Sequence, residues 1–478
     1  MPFSVINNAQ FPEVDYAAWR ALAEKALKGQ PFEDALIDTT EDGIQVQPIY
    51  ERAEAKPLRR REPSRPWRIV QRIDDPDPDR ANKQAMEDAN NGATGLALVF
   101  EGAPNAFGYG IPADREVLGQ VLSDVPLGKL YLRIDSHPQS RASIDWIIDL
   151  YGKRRIDPAG LRFSFGLDPA AIFAGTGRLN MSVEALQASM PQSLAHFFAL
   201  GLPGVLLEAD GRVYHNAGAT AAQELGAMLA SAVSHLRMFE QARQPLVYSA
   251  PHIGFSLSVD QDQFLSMAKI RAIRKLWARV QEACGVEAAP ATVHAETSWH
   301  MLTGKDAETN ILRSTIAGFS AAAGGADSIS IIPHNAPHGL SDPFARRIAR
   351  NTQLILADES HLAFVSDPGA GAGGIEALTD AMCEQAWAEF QAIEADGGLL
   401  ENLINGKLQA KIVANRQSRG SRFAGGEIPL VGVNRFPLDK ERVVKVLEAD
   451  HRPMPSEGAV HCEKLETVRL ETLDGDRS

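Results

Sequence analysis

The sharpest candidate for chemistry is His215, in the run YHNAGAT (Tyr214–Thr220). It lies between an apolar strand pattern, Val205–Glu208, and a helix signalled by the capping box of Thr220 and Gln223. A histidine so placed can give a proton or a hydrogen bond to a carbonyl oxygen where charge or spin develops. The same position also suits a histidine that only bonds the loop backbone. Tyr109 sits in EGAPNAFGYG between glycines, so its ring either reaches over a neighbouring site or is an ordinary loop aromatic. His294 and Glu296 alternate in VHAET and point to one face of a strand. An HxE pair invites zinc-deaminase chemistry, but the later PCxxC that this chemistry needs is absent, so no metal is expected. Ser164 adds a polar position on another strand, and IIPHNAPHG offers His334, Asn335 and His338. Gly369, Gly371 and Gly374 satisfy GxGxxG before a helix; alone this is a weak dinucleotide signal, and a turn with close backbone approach explains it as well. Walker A, GxSxG and HExxH motifs are absent.

The elements that hold these residues repeat. Strand patterns fall at Gly95–Phe100, Leu130–Ile134, Leu161–Phe165, Val205–Glu208, within Leu246–Leu257, and at Ala291–Glu296, Ser328–Ile332 and Leu362–Ser366, each followed by room for a helix. Eight such units predict a closed (β/α)₈ barrel of the α/β class, with a doubly wound open sheet as the alternative. Apolar stripes mark three covering helices: Leu225 to Phe239; Phe264, Met267, Ile270, Ile273 and Trp277; and Ile311, Leu312, Thr315, Ile316 and Phe319, the last closed at Gly324-Gly325. In a barrel, chemistry sits on the loops after the strands, and strand residues facing inward are normally Val, Ile and Leu, so the polar Ser164, His294 and Glu296 suggest a bore shaped for something to thread it.

We divide the chain into an arm at 1–60, with a helix near Tyr16–Leu27 and an extended stretch at Ile44–Tyr50; the barrel at 61–405; and a closing segment and tail at 406–478, with a possible helix at Arg442–Leu447. Of the 478 residues, 44% are hydrophobic, enough for a large core. The formal net charge is −13 and the one basic run, Leu58–Glu62, is short, which argues against nucleic acid. No apolar run reaches a membrane span, the first residues do not read as a secretory leader, and three distant cysteines fit a reducing cytoplasm.

Several segments resemble the acyl-CoA mutase family, whose best-known member is methylmalonyl-CoA mutase: RPWRIVQRI (Arg65–Ile73), YHNAGAT, MAKIRAIRKLWARV (Met267–Val280), FARRIARNTQLIL (Phe344–Leu356), DPGAGAGGIEALT (Asp367–Thr379) and VGVNRF (Val431–Phe436). They stand in order over most of the chain. The resemblance implies an isomerase that rearranges a CoA thioester by radical chemistry, with adenosylcobalamin supplying the radical. It also implies that the CoA arm threads the barrel and that cobalamin sits at the mouth against a flavodoxin-like domain. By the same resemblance His215 and Tyr109 would be catalytic. Arg178, Ser164, His252, His294 and Glu296 would meet the substrate, and Asn335 and Gly371 the cofactor.

The departures are as informative. The DxHxxG motif of the cobalamin domain is absent; Asp135-Ser136-His137 lacks its glycine. Thr176 stands where the family has an arginine for the acyl carboxylate, with Arg178 two residues on; Glu296 replaces a glutamine, and Gly339 an acidic residue. FGLDPAA, YHNAGA and DQFLSMAKIRAIRKLWAR resemble the small subunit of heterodimeric mutases. The expectation is a degenerate small subunit partnering a catalytic large subunit. The alternative is a catalytic barrel completed by a separate cobalamin-binding chain.

Overall fold

The computed structural model describes residues 15–60, 65–157, 160–452 and 457–473. The leader reading, and Arg61 and Glu62 of the basic run, fall outside them. Eight parallel strands close into a barrel: β1 (Arg68–Ile73), β2 (Gly95–Leu98), β3 (Tyr131–Ile134), β4 (Arg162–Leu167), β5 (Val205–Asp210), β6 (Ile253–Val259), β7 (Thr292–Thr297) and β8 (Ser328–Ser330), with β8 pairing back onto β1. The open-sheet alternative is excluded.

The expected count of eight holds, but the frame moves by one unit. The barrel begins at Arg68, and Leu362–Phe364 is a turn of 3₁₀ helix rather than the last strand. The first strand is hard to read because Arg68, Gln71 and Arg72 break the apolar run of RIVQRI; Ile69 and Ile73 join the outer core while Arg72 faces the bore.

The helices wrap the strands: α1 (Pro78–Asn90), α2 (Arg115–Val121), α3 (Ser140–Lys153), α4 (Pro169–Thr176), α5 (Val183–Ala199), α6 (Arg212–Asn216), α7 (Ala221–Gln241), α8 (Gln263–Ala283), α9 (Asn310–Gly324), α10 (Pro343–Leu354), then α11 (Gly373–Ala395) and α12 (Lys407–Ala424). Thr220 and Gln223 form the expected capping box at the start of α7, and Gly325 ends α9 in the left-handed conformation. The stripes on α7 and α8 are buried, apart from Val233, which is half-buried, and Phe264, which is exposed. On α9 the expectation reverses: Leu312 and Ile316 face outward, and Arg313, Ser314, Ala317, Gly318 and Ala321 face in. The small residues let α9 approach closely; a Cβ on Gly318 would lie 3.1 Å from Ile331.

The arm has a helix at Tyr16–Ala26, capped by Asp15, and a two-stranded hairpin pairing Asp38–Thr39 with Gln45–Val46. Asp42 accepts from the Ala222 N–H at the amino end of α7 (3.3 Å), a favourable place for a carboxylate. Arg442–Leu447 is not a helix. Val446–Leu447 pairs antiparallel with Leu340–Ser341 after β8, and the chain then runs as a strap across the carboxyl-terminal mouth. Backbone N–H groups of Arg452, Ala459, Cys462, Leu465, Val468 and Leu470 donate to carbonyls of Gly108, Leu179, Gly177, Ala174, Asn216 and His300 at 2.7–2.9 Å. Counting the Leu340 pairing, the strap touches the loops after β2, β4, β5, β7 and β8. Among the described residues no helix is long and apolar enough to cross a membrane.

One backbone position tests the barrel. Between Ser164 and Leu167 the pairing of β4 with β5 shifts register, and Gly166 has φ +56°. A Cβ there would lie 1.8 Å from the Ile134 carbonyl oxygen. Gly166→Ala is expected to destabilise the fold by at least about 2 kcal/mol, read as a lower denaturation midpoint; an unchanged midpoint would show that the bulge does not need glycine.

Candidate functional site

Strand alternation sends a charged set into the bore: Arg72 from β1, Arg133 and the adjoining Asp135 from β3, Glu208 and Asp210 from β5, and His294 and Glu296 from β7. Arg212, the first residue of α6, folds down onto them. Arg72 Nη1 donates to Glu296 Oε2 (2.8 Å). Arg133 donates to Glu208 Oε1 (2.5 Å), Asp135 Oδ1 (3.1 Å) and the Ser256 hydroxyl (3.2 Å). Arg212 grips Asp210 through Nε and Nη2 (2.9 and 2.7 Å), reaches Asp135 (3.1 Å) and gives Nη1 to Glu296 Oε1 (3.1 Å). Arg133 and Arg212 are 0% exposed. Three guanidiniums and four carboxylates thus fill the upper bore as one network.

Burial disfavours every charge here, and the partners decide the outcome. For Asp135 burial pushes the carboxyl up, but Arg212, Arg133 and Arg72 reverse this and hold it well below the usual range. For Glu208 burial wins over Arg133, and the carboxyl is raised. His294 is kept neutral by burial, reinforced by Arg133 and Arg212; its Nδ1 meets the Ser328 hydroxyl at 2.9 Å. Ser164 lies 3.5 Å from Glu208. Below the network, Val70, Ala97 and Tyr131 form a separate cluster, and the Arg68 guanidinium lies 4.9 Å from the Tyr131 ring centre. Above it, the Asn105 carbonyl accepts from Arg72 (2.7 Å), and Phe107 stacks on Trp299 (centroids 4.2 Å apart).

His215 lies in the short α6 at the mouth and is buried. Nε2 is 2.8 Å from Ser298 Oγ; Nδ1 is 3.4 Å from Glu224 Oε2 and 3.5 Å from Lys269 Nζ. Lys269 and Glu224 are themselves paired at 2.5 Å. The ring is therefore held at both nitrogens by side chains, not by the loop backbone. The arrangement can fix a tautomer and relay a proton toward Ser298.

The other sequence candidates scatter. Tyr109 is half-buried under the strap, its hydroxyl 3.3 Å from His451 Nε2. His252 precedes β6 at the opposite end of the barrel, its Nδ1 2.7 Å from the Gly204 carbonyl. Arg178 is buried beside the mouth and gives Nη1 to the Glu457 carbonyl (2.6 Å). Asn335 donates to Asp342 (3.0 Å) and the Lys445 carbonyl (2.8 Å). Gly371 is not at the mouth: it lies beneath the arm, accepting from the Ala53 N–H (3.2 Å), and a Cβ there would meet Ala55 at 3.1 Å. Of the named residues only Ser164, His294 and Glu296 come together. Sequence reasoning missed Arg72, Arg133, Glu208, Asp210 and Arg212. Arg133, Glu208 and Asp210 carried the signal of charge at inward strand positions, as His294 and Glu296 did; Arg72 stands alone, with no second charge two residues before it in β1, and Arg212 lies off the strand at the start of α6.

Comparison with known proteins fits this architecture. The family model described as methylmalonyl-CoA mutase matches residues 59–474, and the chain belongs to that family of isomerases. The methylmalonyl-CoA mutase small subunit of Streptomyces virginiae is 36% identical over 460 residues, covering 91% of this chain and 73% of the relative. The small subunit of Propionibacterium freudenreichii subsp. shermanii is 30% identical over 488 residues, 95% and 73%. The probable small subunit of Mycobacterium bovis is 36% identical over 429 residues, 84% and 67%.

Two outcomes follow from the buried charges. Arg133→Met leaves Glu208 and Asp135 short of a cation and is expected to cost about 3–5 kcal/mol, with Arg133→Met/Glu208→Leu recovering much of it; equal losses in chemical denaturation would deny the coupling. Outside the bore, burial holds His137 and His235 down at about 3. Their folded values lie below the unfolded value of 6.5, so the unfolded state binds the protons. The two rings' contribution to stability is then full above pH 6.5 and falls by about 1.4 kcal/mol per pH unit for each ring as pH drops toward 3, opposed over part of this range by buried Asp168, whose carboxyl is raised to about 7. Denaturant titrations across that window, with His235→Gln flattening the slope, check the sign.

Proposed function

We propose that this chain is the small, catalytically degenerate subunit of a methylmalonyl-CoA mutase, working beside a catalytic large subunit. The observation that carries this is the charged plug of the upper bore. A CoA thioester threading the barrel would have to part Arg72 from Glu296 and Arg133 from Glu208, leaving buried charges without partners, at several kcal/mol each. The plug serves shape: it braces four strands and the Asn105–Phe107 loop without offering a passage.

The cofactor reading points the same way. Adenosylcobalamin supplies radical chemistry when bound in such an enzyme, but the residues named for it here do not fit. Asn335 gives its amide nitrogen to Asp342 and the Lys445 carbonyl and keeps only its oxygen unpaired, Gly371 is covered by the arm, and the strap crosses five of the mouth loops. We therefore assign the cofactor and the acyl-CoA to the complex, on another chain. The arm at 1–60, the barrel at 61–405 and the closing segment at 406–478 are the working units. The outward faces of α9 and α10, with Leu312, Ile316 and Phe344 exposed, supply apolar surface for a partner. Three cysteines without bridges favour the cytoplasm.

A second reading rests on His215. Its ordered contacts to Ser298 and Glu224 are those of a working acid–base residue, which suits a catalytic barrel completed by a separate cobalamin-binding chain. Reconstitution with the catalytic mutase chain separates the two. His215→Ala in this chain is expected to leave isomerisation within about two-fold, whereas loss by about 100-fold or more, the scale of a general acid–base contribution, would overturn the degenerate reading.

A further inference from the structure

The arm is fastened to the barrel at two places, and little apolar surface holds it between them. From Asp15 to Pro57 only Phe32 and Ile44 are buried. Phe32 is covered by the arm itself, edge-on to Trp19 (centroids 5.9 Å apart) and beneath the Arg20 guanidinium (4.4 Å). Of the two, Ile44 alone joins the barrel's core. A segment with so few buried contacts opens at a lower free energy than the body it lies on.

The first fastening is a glycine cradle at the start of α11. The Ala53 N–H donates to the Gly371 carbonyl (3.2 Å). A Cβ on Gly373 would lie 1.8 Å from the Glu51 carbonyl oxygen, and one on Gly374 would lie 3.2 Å from the Tyr50 ring. The arm is held here backbone to backbone, and any side chain at Gly373 would lift it.

The second fastening is the tip of the hairpin. Arg419 of α12 gives Nε to Glu41 Oε1 (2.9 Å) and Nη2 to Oε2, a two-pronged charged pair. Among the described residues Glu41 is the one carboxylate paired with Arg419. Arg419 Nη1 donates to His300 Nε2 (3.0 Å). A guanidinium can only donate, so Nε2 accepts, and the His300 Nδ1–H is left to donate to the Val468 carbonyl (3.0 Å). Burial keeps His300 neutral, reinforced by Arg419. Val468 N–H holds the Asn216 carbonyl and Leu470 N–H the His300 carbonyl, both at 2.9 Å. One line of contacts thus runs from the arm through Arg419 and His300 to the end of the strap. It passes His215, whose ring centre lies 6.4 Å from that of His300.

We propose that the arm is a releasable latch: it lifts from the folded barrel as one unit, and its docking sets how firmly the strap is held at His300. When Glu41 leaves, Arg419 is a mostly buried cation without a carboxylate. It turns toward water and lets go of His300 Nε2, so the tautomer that holds Val468 is no longer fixed. The strap end then loosens beside His215.

The test is hydrogen exchange on the full chain, read peptide by peptide. Glu41→Gln keeps the shape of the hairpin tip and removes its charge. It is expected to speed exchange over residues 38–55 by about ten-fold, and to speed the strap peptide carrying Val468 and Leu470 with it. Gly373→Ala acts at the other fastening and is expected to loosen the same two regions. Strands β5 and β6 are expected to exchange as in the parent, which shows the barrel intact. Arm exchange unchanged in both variants would overturn the latch. A loosened arm with an unchanged strap peptide would overturn the coupling, and strands loosened along with the arm would show that the arm is not a separate unit.

Discussion

Everything inside this barrel depends on pairing three arginines with four carboxylates where water cannot reach. A bore lined by Val, Ile and Leu closes by shape alone; here closure requires each charge to find its partner, because an unpaired one costs more than any single apolar contact supplies. The network therefore selects one register of the strands. Slipping β5 by one residue would turn Glu208 and Asp210 toward the helices and strand Arg133 and Arg212. The arrangement need not be more stable than an aliphatic filling. What it adds is the linkage of β1, β3, β5 and β7 to the first turn of α6.

That linkage reaches the mouth. Arg212 is three residues from His215, so the histidine's position is set from below by the plug and from above by Ser298, Glu224 and Lys269. Asn105 and Phe107 are likewise held by Arg72 and Trp299. The strap then fastens the loops around them.

Much of this was legible in the sequence. Strand and helix patterns repeat cleanly enough to give the barrel, and the capping box at Thr220 gave the start of α7. The frame slipped by one unit because Arg68 and Arg72 interrupt the apolar signal of β1, while Leu362–Ser366 imitates a strand without a partner. On α9 the largest apolar residues lie outside and alanine, serine and glycine inside, since close packing against the barrel selects small side chains over hydrophobic ones. His294 and Glu296 were visible as inward polar positions, yet their partners lie up to 224 residues away, and no local pattern pairs them. Gly371 was misplaced because a glycine-rich turn looks the same whether it meets a ligand or the chain's own arm.

The strap also orders events during synthesis. It leaves the ribosome after all five loops that it fastens, so a nascent barrel must wait with the carbonyls of Gly108, Ala174, Gly177, Asn216 and His300 turned to solvent. These are long-range contacts, slow to form by their topology. The mouth is thus the last part of the molecule to mature, and until it does, a newly made chain presents a surface that the finished one lacks.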